Sequence, residues 1–297
     1  MKYGDKVAVD GLSLIVPTAT ITSVLGPNGA GKTTTLETCE GYRRAQRGRV
    51  EVLGLDPYRQ HRELAPRIGV MLQGGGAWSG ARAWEMLRHI AALHADPLDP
   101  GMLYERLGLA ECGRTPYRRL SGGQQQRLGL AMALVGRPDV VFVDEPTAGM
   151  DPQARRTTWE LLEELRHDGV TVVLTTHHMD EAERLSDLIH IIDRGKVIAS
   201  GPPSELTSSH ASTIRLTLPR PLDQSGRDQL VQALPRTSEV KVLEDGTVVV
   251  SGPTDHRVLG AVGGWCEAQR LVPLSLTMGQ GTLEDVFIEL TGREMAR

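Results

Sequence analysis

Residues 26–33, GPNGAGKT, have the spacing GxxxxGK[ST] of a phosphate-binding loop. Glycines let backbone N–H groups turn inward around phosphate oxygens, and the N-terminus of a following helix adds its positive end. We expect Lys32 to reach the β and γ phosphates of a nucleotide and Thr33 to ligate magnesium. An ordinary glycine-rich turn is the alternative. The predicted nucleotide-binding residues here are Gly26, Pro27, Asn28, Gly29, Ala30, Gly31, Lys32, Thr33 and Thr34.

Two carboxylates follow the apolar run VVFV at 140–143, namely Asp144 and Glu145. The carboxyl end of a buried strand is where an open α/β sheet binds its ligand. We therefore predict that Asp144 holds magnesium through water and that Glu145 orients and deprotonates the attacking water. A solvated Asp-Glu-Pro turn is the alternative.

The segment LSGGQQQR at 120–127 places a serine and two glycines at the start of a helix. Chemically this is a second anion-binding site, contributed by Ser121, Gly122, Gly123 and Gln124. A protein with one triphosphate does not obviously need two such sites. The local chemistry of this segment, taken without any resemblance, favours a helix start capped by the serine.

The elements that must position these motifs alternate between strand and helix patterns. Asp151 and Pro152 form an N-cap and first-turn pair, and a hairpin turns at Arg194 and Gly195. Predicted strands cover two segments of 12–25 broken at Pro17, residues 49–55, residues 68–72 ending at Gln73, residues 140–143, residues 170–176 ending at His177, and the two arms of 188–201. Residues 78–137 are mostly helical, with a further short helix at 179–187.

A first domain is expected at 1–207 and an accessory domain at 208–297. The second region has the pattern β-α-β-β-α-β of a small α+β unit. It ends in a helix with Thr282 and Asp285 spaced as a capping box and a stop at Gly292.

Composition excludes several classes of protein. The 297 residues are 40% apolar and carry a formal net charge of -4, so neither disorder nor a nucleic-acid partner is expected. Apolar runs are far shorter than the roughly 20 residues of a membrane helix. We expect no signal peptide and therefore a chain that stays in the cytoplasm.

LSGGQ, beside the phosphate loop and VVFVDEP, closely resembles the ATP-binding cassette ATPases of ABC transporters over residues 3–205. The resemblance implies that Gln73 touches magnesium and reports to a transmembrane partner, and that AGMD at 148–151 is the D-loop. It also makes His177 the switch histidine, with His178 as the rival, and places Tyr3 on adenine. Glu145, His177 and Gln73 are thus the expected catalytic residues, and Thr33, Gln73 and Asp144 the magnesium ligands.

In that family the signature loop of one subunit closes on the γ phosphate held by the other, which implies a head-to-tail dimer, most simply of two copies. The resemblance further implies ATP and Mg²⁺ as cofactors, a separate integral membrane permease, and a peripheral position on the cytoplasmic face of the membrane. The fold it implies is an α/β P-loop ATPase core with an antiparallel β edge and a helical subdomain at 78–137, plus the α+β appendage.

LEDVFIELTG near the C-terminus and TTHHMDEAE at 175–183 resemble ATPases of drug or polysaccharide exporters, particularly the daunorubicin-resistance type. We therefore expect export of a drug, antibiotic, lipid or polysaccharide. A soluble ABC ATPase that remodels ribosomes or DNA is the alternative, although no sustained heptads are present. A metabolic kinase would leave LSGGQ without a role.

Three positions depart from the family pattern. The strand that normally precedes Tyr3 is missing, so we expect an unpaired sheet edge or a true start upstream of Met1. Ala19 and Thr20 replace a frequent Gly-Glu pair, which affects a turn rather than chemistry. The glycine-rich stretch 74–80 alters the surface that couples to the permease.

Overall fold

The computed structural model describes residues 1–4, 6–71, 78–208, 213–243, 246–252, 256–279 and 282–291. The chain divides into two compact units, with Met1–Pro203 in the first and Ser204–Leu290 in the second. The division lies four residues before the boundary expected at 207, because helix Pro203–Ser208 begins there and runs across that position.

The strands are β1 Lys2–Tyr3, β2 Lys6–Val7, β3 Ile21–Leu25, β4 Ile68–Met71, β5 Val140–Asp144, β6 Thr171–Thr175, β7 Leu188–Asp193, β8 Lys196–Gly201, β9 Thr213–Thr217, β10 Glu239–Val242, β11 Val248–Ser251 and β12 Ser275–Gly279. The α-helices are α1 Lys32–Cys39, α2 His61–Leu64, α3 Ala83–Ala91, α4 Pro100–Arg106, α5 Gly122–Leu134, α6 Pro152–His167, α7 Met179–Leu185, α8 Pro203–Ser208, α9 Gln224–Ala233, α10 His256–Ala268 and α11 Leu283–Thr291. Short 3-10 turns cover Ala65–Arg67, Leu109–Cys112 and Tyr117–Arg119.

Within the described residues, the first unit is built on a six-stranded sheet in the order β4-β5-β6-β3-β7-β8. The first five strands are parallel, and β8 pairs antiparallel with β7 at the edge. Parallel strands present their carboxyl ends at one edge of the sheet, and β3, β6 and β5 are neighbours there. The phosphate loop, Asp144 and the histidine pair therefore emerge side by side.

The central strands are buried on both faces, as a parallel sheet covered by helices requires. Along β5, Val141 and Val143 pack into one apolar cluster while Val140 and Phe142 pack into another on the opposite face. This alternation confirms the prediction made from the continuous apolar run.

Helix α5, which begins at the LSGG segment, packs directly on β4. A Cβ added to Gly69 of β4 would lie 2.1 Å from the carbonyl oxygen of Ala133, so glycine is required for this close approach. Within the described residues, a Cβ added to Gly129 on the same helix would meet only the flexible Met71 side chain, at 3.5 Å. The absence of a side chain at Gly69 therefore allows α5 to pack this close to β4.

Two predicted local structures are confirmed. The Asp151 carboxylate caps α6 by accepting from the backbone N–H groups of Gln153 and Ala154 at 3.0 and 2.9 Å. Arg194 and Gly195 turn the β7-β8 hairpin with φ of 47° and 77°, the left-handed values of a type I′ turn.

Two predicted strands are absent from the described structure. Of residues 12–25, only Ile21–Leu25 is a strand, and the segment before Pro17 is irregular. Residues 49–55 contain a single bridge between Val52 and Leu55 rather than a strand. In both segments the alternation of apolar residues reflects packing against the sheet, since Leu12, Val16 and Val52 are half-buried against its core. Neither segment pairs with a neighbouring strand in the described structure.

The second unit has the predicted β-α-β-β-α-β order, and its described strands form an antiparallel sheet, β10-β11-β9-β12. Its core joins residues of the sheet to α9 and α10, including Leu216, Leu230 and Val262. Thr282 and Asp285 form the predicted capping box of α11, with reciprocal backbone contacts of 2.9 and 3.2 Å. Gly292, the predicted stop, lies outside the described residues.

The packing of α5 on β4 can be tested with two glycine substitutions. Gly69→Ala should lower the free energy of unfolding by about 2 kcal/mol or more, because the new methyl group meets backbone that cannot move independently. Gly129→Ala should be neutral or raise it by about 0.5 to 1 kcal/mol, since alanine is the better helix former. Urea denaturation measures both. Equal effects of the two substitutions would contradict the close approach at Gly69.

Candidate functional site

A cleft of about 260 Å³ opens in the first unit near the carboxyl ends of β3 and β5. It brings together the phosphate loop, the two carboxylates and the predicted adenine contact. The lining residues are Tyr3, Ala8, Asn28, Gly29, Gly31, Lys32, Thr33, Thr34, Asp144 and Glu145. Residues separated by more than 100 positions in sequence thus share one cleft.

The phosphate loop has the backbone geometry that its sequence predicts. Gly31 caps α1 with a φ of 107°, a left-handed value that side chains rarely adopt. A Cβ there would also lie 2.3 Å from the carbonyl oxygen of Ala8. The chain therefore passes close to residue 8 and then enters α1, whose N-terminal N–H groups begin at the cleft.

Lys32 is the cationic group of the cleft. Its Nζ donates to the carbonyl oxygens of Gly26 and Pro27, at 3.2 Å for the latter. Burial lowers the pKa of Lys32, while the nearby charges of Asp144 and Glu145 raise it. A partly desolvated ammonium attracts phosphate oxygens strongly, whereas the two carboxylates beside it repel them and favour a cation.

Asp144 is the last residue of β5 and lies opposite Thr175 of the neighbouring strand β6. Thr175 of β6 donates a hydroxyl hydrogen bond to Asp144 Oδ1. Burial raises the pKa of Asp144, and the Thr175 hydrogen bond opposes that shift. With Thr33, this carboxylate supplies two oxygen donors of the kind that Mg²⁺ takes alongside phosphate.

Glu145 and His177 extend from adjacent strand ends and contact each other. His177 Nδ1 lies 3.2 Å from Glu145 Oε1, and both side chains are about three-quarters buried. Glu145 has a φ of 50°, a left-handed value that is unusual for a non-glycine residue and recurs at functional sites. Its backbone N–H donates to the carbonyl oxygen of Thr175 at 2.9 Å.

His178, the rival of His177, makes a different set of contacts. It is the N-cap of α7, and its backbone N–H donates to the Thr176 hydroxyl at 3.0 Å. Burial and the His177 ring lower the pKa of His178. Of the two histidines, His177 is the one in contact with Glu145, so the geometry favours it in the switch role.

The LSGG segment forms a capped helix start, which is the structure that its local chemistry favours. Ser121 Oγ accepts from the Gln124 backbone N–H at 3.2 Å, and Gln124 Oε1 accepts from Ser121 at 3.0 Å. Gly123 is buried at the D-loop, since a Cβ there would lie 3.3 Å from the carbonyl oxygen of Gly149. None of residues 121–124 belongs to the described lining of the cleft.

Tyr3 lines the cleft, and Arg43 covers its ring at 5.4 Å. Gln46 exchanges two hydrogen bonds with the backbone of Lys2, of 2.8 and 3.0 Å, which ties this strand to the segment after α1. Gln73 lies outside the described residues. Its predicted contacts therefore stay a prediction.

Comparison with known proteins decides the family. The profile described as ABC transporter matches residues 9–148. The daunorubicin resistance ATP-binding protein DrrA3 of Streptomyces coeruleorubidus is 36% identical, over 98% of this chain and 93% of the relative. The chain belongs to the ABC transporter ATPase family. The Nod factor export ATP-binding protein I of Paraburkholderia xenovorans is 37% identical, over 99% of this chain and 95% of its own.

Solved structures show the same fold. The dimeric ATP-binding cassette MJ0796, in a post-hydrolysis state bound to ADP and Pi, matches with a TM-score of 0.60 at 25% identity and covers 68% of this chain and 94% of that one. CbiO1 from Clostridium perfringens matches with a TM-score of 0.60 at 26% identity and covers 70% of this chain and 87% of that one. This ABC ATPase is thus an ATP-binding and ATP-hydrolysing subunit. None of the helices in the described ranges has the length and apolarity needed to cross a membrane.

One acidic residue near the ATPase cleft was missed by sequence reasoning. Glu40 follows α1 and is 5% exposed, like Leu36 one turn earlier. Burial raises the pKa of Glu40 to about 7, and the charges of Glu37 and Asp144 add to the effect. The four-residue spacing from Leu36 was the available signal, because it places Glu40 on the buried helical face.

Glu40 should make the stability of the ATPase depend on pH. Between its ordinary pKa of 4.5 and about 7, the folded chain holds a proton that the unfolded chain has lost, so the free energy of unfolding should fall as pH rises through this window. Glu40→Gln should remove that slope, leaving stability unchanged at pH 5 and raising it by about 1 to 3 kcal/mol at pH 8. Urea denaturation at the two pH values measures it.

Glu105→Gln provides the control, because Glu105 is exposed on α4. It should leave the difference between pH 5 and pH 8 as in the wild type. An equal effect of Glu40→Gln at both pH values would contradict a raised pKa.

Proposed function

We propose that this ATPase energises export of a drug, antibiotic, lipid or polysaccharide through a separate integral membrane permease, with two copies binding two ATP molecules between them. The observation that carries the proposal is the cleft itself. There Lys32 lies beside Asp144 and Glu145, and Glu145 contacts His177. These groups match, position by position, what hydrolysis of a γ phosphate requires.

In the proposed reaction each side chain has one task. Lys32 leaves the carbonyls of its own loop and binds the phosphates, and Glu145 accepts a proton from the attacking water. His177, whose Nδ1 lies 3.2 Å from Glu145 Oε1, keeps the carboxylate beside the phosphate. Tyr3, covered on one side by Arg43, stacks on adenine.

The magnesium site is assigned to Thr33 and Asp144, with Gln73 as a third oxygen donor. The donor chemistry fits, because hydroxyl, carboxylate and amide oxygens suit Mg²⁺ and few protein ligands are needed when phosphates supply the rest. Thr175 holds one oxygen of Asp144 and leaves the other available. Bound magnesium would neutralise charge on the phosphates.

The head-to-tail arrangement is supported by the separation of the two anion sites. The LSGG start of α5 carries N–H groups suited to phosphate, yet it is not in the described lining of the ATP cleft of its own chain. A second copy can bring its Ser121–Gln124 segment to that cleft. The dimeric state of MJ0796 points the same way.

The cargo class is supported by the relatives rather than by the cleft. One is a daunorubicin resistance protein and another a Nod factor export protein, and both match nearly the whole of this chain. CbiO1 is part of the ABC transporter complex cbiONQ, which supports assembly with a membrane permease. In this proposal the subunit lies on the cytoplasmic face of the membrane. Residues 208–297 are proposed as an accessory domain because the described ones include none of the ATP-site residues.

The division of roles at the cleft predicts different defects for two variants. Glu145→Gln should cut ATP hydrolysis at least about 100-fold and leave nucleotide affinity unchanged, because it removes the base and keeps the phosphate loop. Lys32→Ala should weaken nucleotide affinity itself, since its charge contacts phosphate in the ground state. Steady-state hydrolysis and fluorescent-nucleotide binding measure the two quantities.

The matched controls are Glu160→Gln and Lys241→Ala, which change exposed residues of the same types. Both should hydrolyse and bind ATP as the wild type does. Glu145→Gln should also accumulate an ATP-stabilised dimer in size-exclusion chromatography. Identical loss of binding in Glu145→Gln and Lys32→Ala would refute the assignment.

A further inference from the structure

Two side-chain contacts join the loop after β5 to the segment after β6. The first is the Glu145–His177 contact at the cleft, of 3.2 Å. The second joins Thr147, two residues after Glu145, to Glu181, four residues after His177. The Thr147 hydroxyl donates to Glu181 Oε1 at 2.8 Å. Thr147 and Glu181 are both 0% exposed. The two segments are therefore joined once in the cleft and once in the interior.

Glu181 also joins a third element to the same point. The indole Nε1 of Trp159, on α6, donates to Glu181 Oε1 at 2.7 Å. Helix α6 is capped by Asp151, the last residue of the D-loop, so both ends of the 145–151 turn are fixed relative to Glu181. One carboxylate oxygen thus accepts from the turn and from the helix that follows it.

The local backbone explains why this buried contact affects the cleft. Glu145 adopts its left-handed φ at the start of the turn, and Ala148 donates back to the Glu145 carbonyl at 3.2 Å. Met150 donates to the Thr147 carbonyl at 3.1 Å. The Thr147 hydroxyl adds a buried side-chain hydrogen bond to these backbone ones and so ties the turn to Glu181.

Burial of Glu181 is not explained by fold stability alone. Its second oxygen, Oε2, is buried without a hydrogen-bond partner in the described structure. A buried carboxylate with one oxygen unsatisfied opposes folding, and the hydrogen bonds from Thr147 and Trp159 satisfy only its other oxygen. A group of this kind calls for a functional reason.

We propose that Glu181 is a positioning residue of the ATPase reaction, which holds the Glu145 turn and the His177 segment at contact distance through Thr147 and Trp159. The inference rests on the proposed roles of Glu145 and His177. Glu181 does not touch substrate. Its effect is on the rate of the chemical step and not on nucleotide affinity.

Removal of the Thr147 donor tests the proposal with little change of shape. Thr147→Val should lower kcat for ATP hydrolysis about tenfold, the size expected when one buried hydrogen bond to a charged group is lost, with nucleotide affinity within about twofold of wild type. Thr147→Ser, which keeps the hydroxyl, should restore most of the rate. Trp159→Phe should lower kcat in the same direction by loss of the second donor.

The control is Glu183→Ala, an exposed residue of the same helix, which should hydrolyse ATP at the wild-type rate. Rates are taken per folded molecule at a temperature below the Tm of every variant. If Thr147→Val only lowers Tm while kcat stays at the wild-type value, Glu181 is merely structural and the proposal fails. A parallel loss of affinity, or failure of Thr147→Ser to recover, would also overturn it.

Glu145→Gln, measured in the same series, separates this inference from the proposed function. A Glu145→Gln variant that hydrolyses ATP at the wild-type rate would contradict the proposed base itself. An inactive Glu145→Gln beside a fully active Thr147→Val would leave the base in place and refute only the positioning role of Glu181.

Discussion

The parallel pairing of β5 with β6 is the constraint on which the rest of the site depends. Its register ends with Asp144 opposite Thr175, and the ladder continues one step further as the Glu145 N–H donates to the Thr175 carbonyl. Because that bond belongs to the backbone, it fixes where the chain leaves the sheet whatever side chains follow. Lys32, Asp144, Glu145 and His177 then meet because their strands are neighbours.

The sequence predicts this part of the molecule well because it depends on local signals. The run at 140–143 indicates a strand buried on both faces, and the glycine spacing of 26–33 has a known backbone geometry. Asp151 before Pro152 marks a helix start, and the structure has it. In each case the signal in the sequence lies within a few residues, so periodicity and turn chemistry are sufficient to predict the element.

Residues 49–55 and the segment before Pro17 show where such signals fail. Apolar alternation indicates which side chains face a core, but a strand also requires a partner in register. Neither segment finds that partner within the described residues, and each packs on the sheet instead of joining it. Nor does sequence alone choose between His177 and His178, because a shift of one residue at a strand end reverses which side chain reaches Glu145.

Glu40 and Glu181 illustrate a different gap. Glu40 is the C-cap of α1 and Glu181 lies in α7, where solvent exposure is the usual expectation for an acid, yet Glu40 is nearly and Glu181 fully buried. Burial has different consequences for the two. Glu40 faces the like charges of Glu37 and Asp144, which favour its protonated form. Glu181 instead receives two neutral donors on one oxygen, so its carboxylate fixes the directions of Thr147 and Trp159 at once. A hydrogen bond depends on direction as well as distance, whereas apolar packing constrains distance alone. In the proposed positioning role, this directionality is the reason for an acid at a fully buried position.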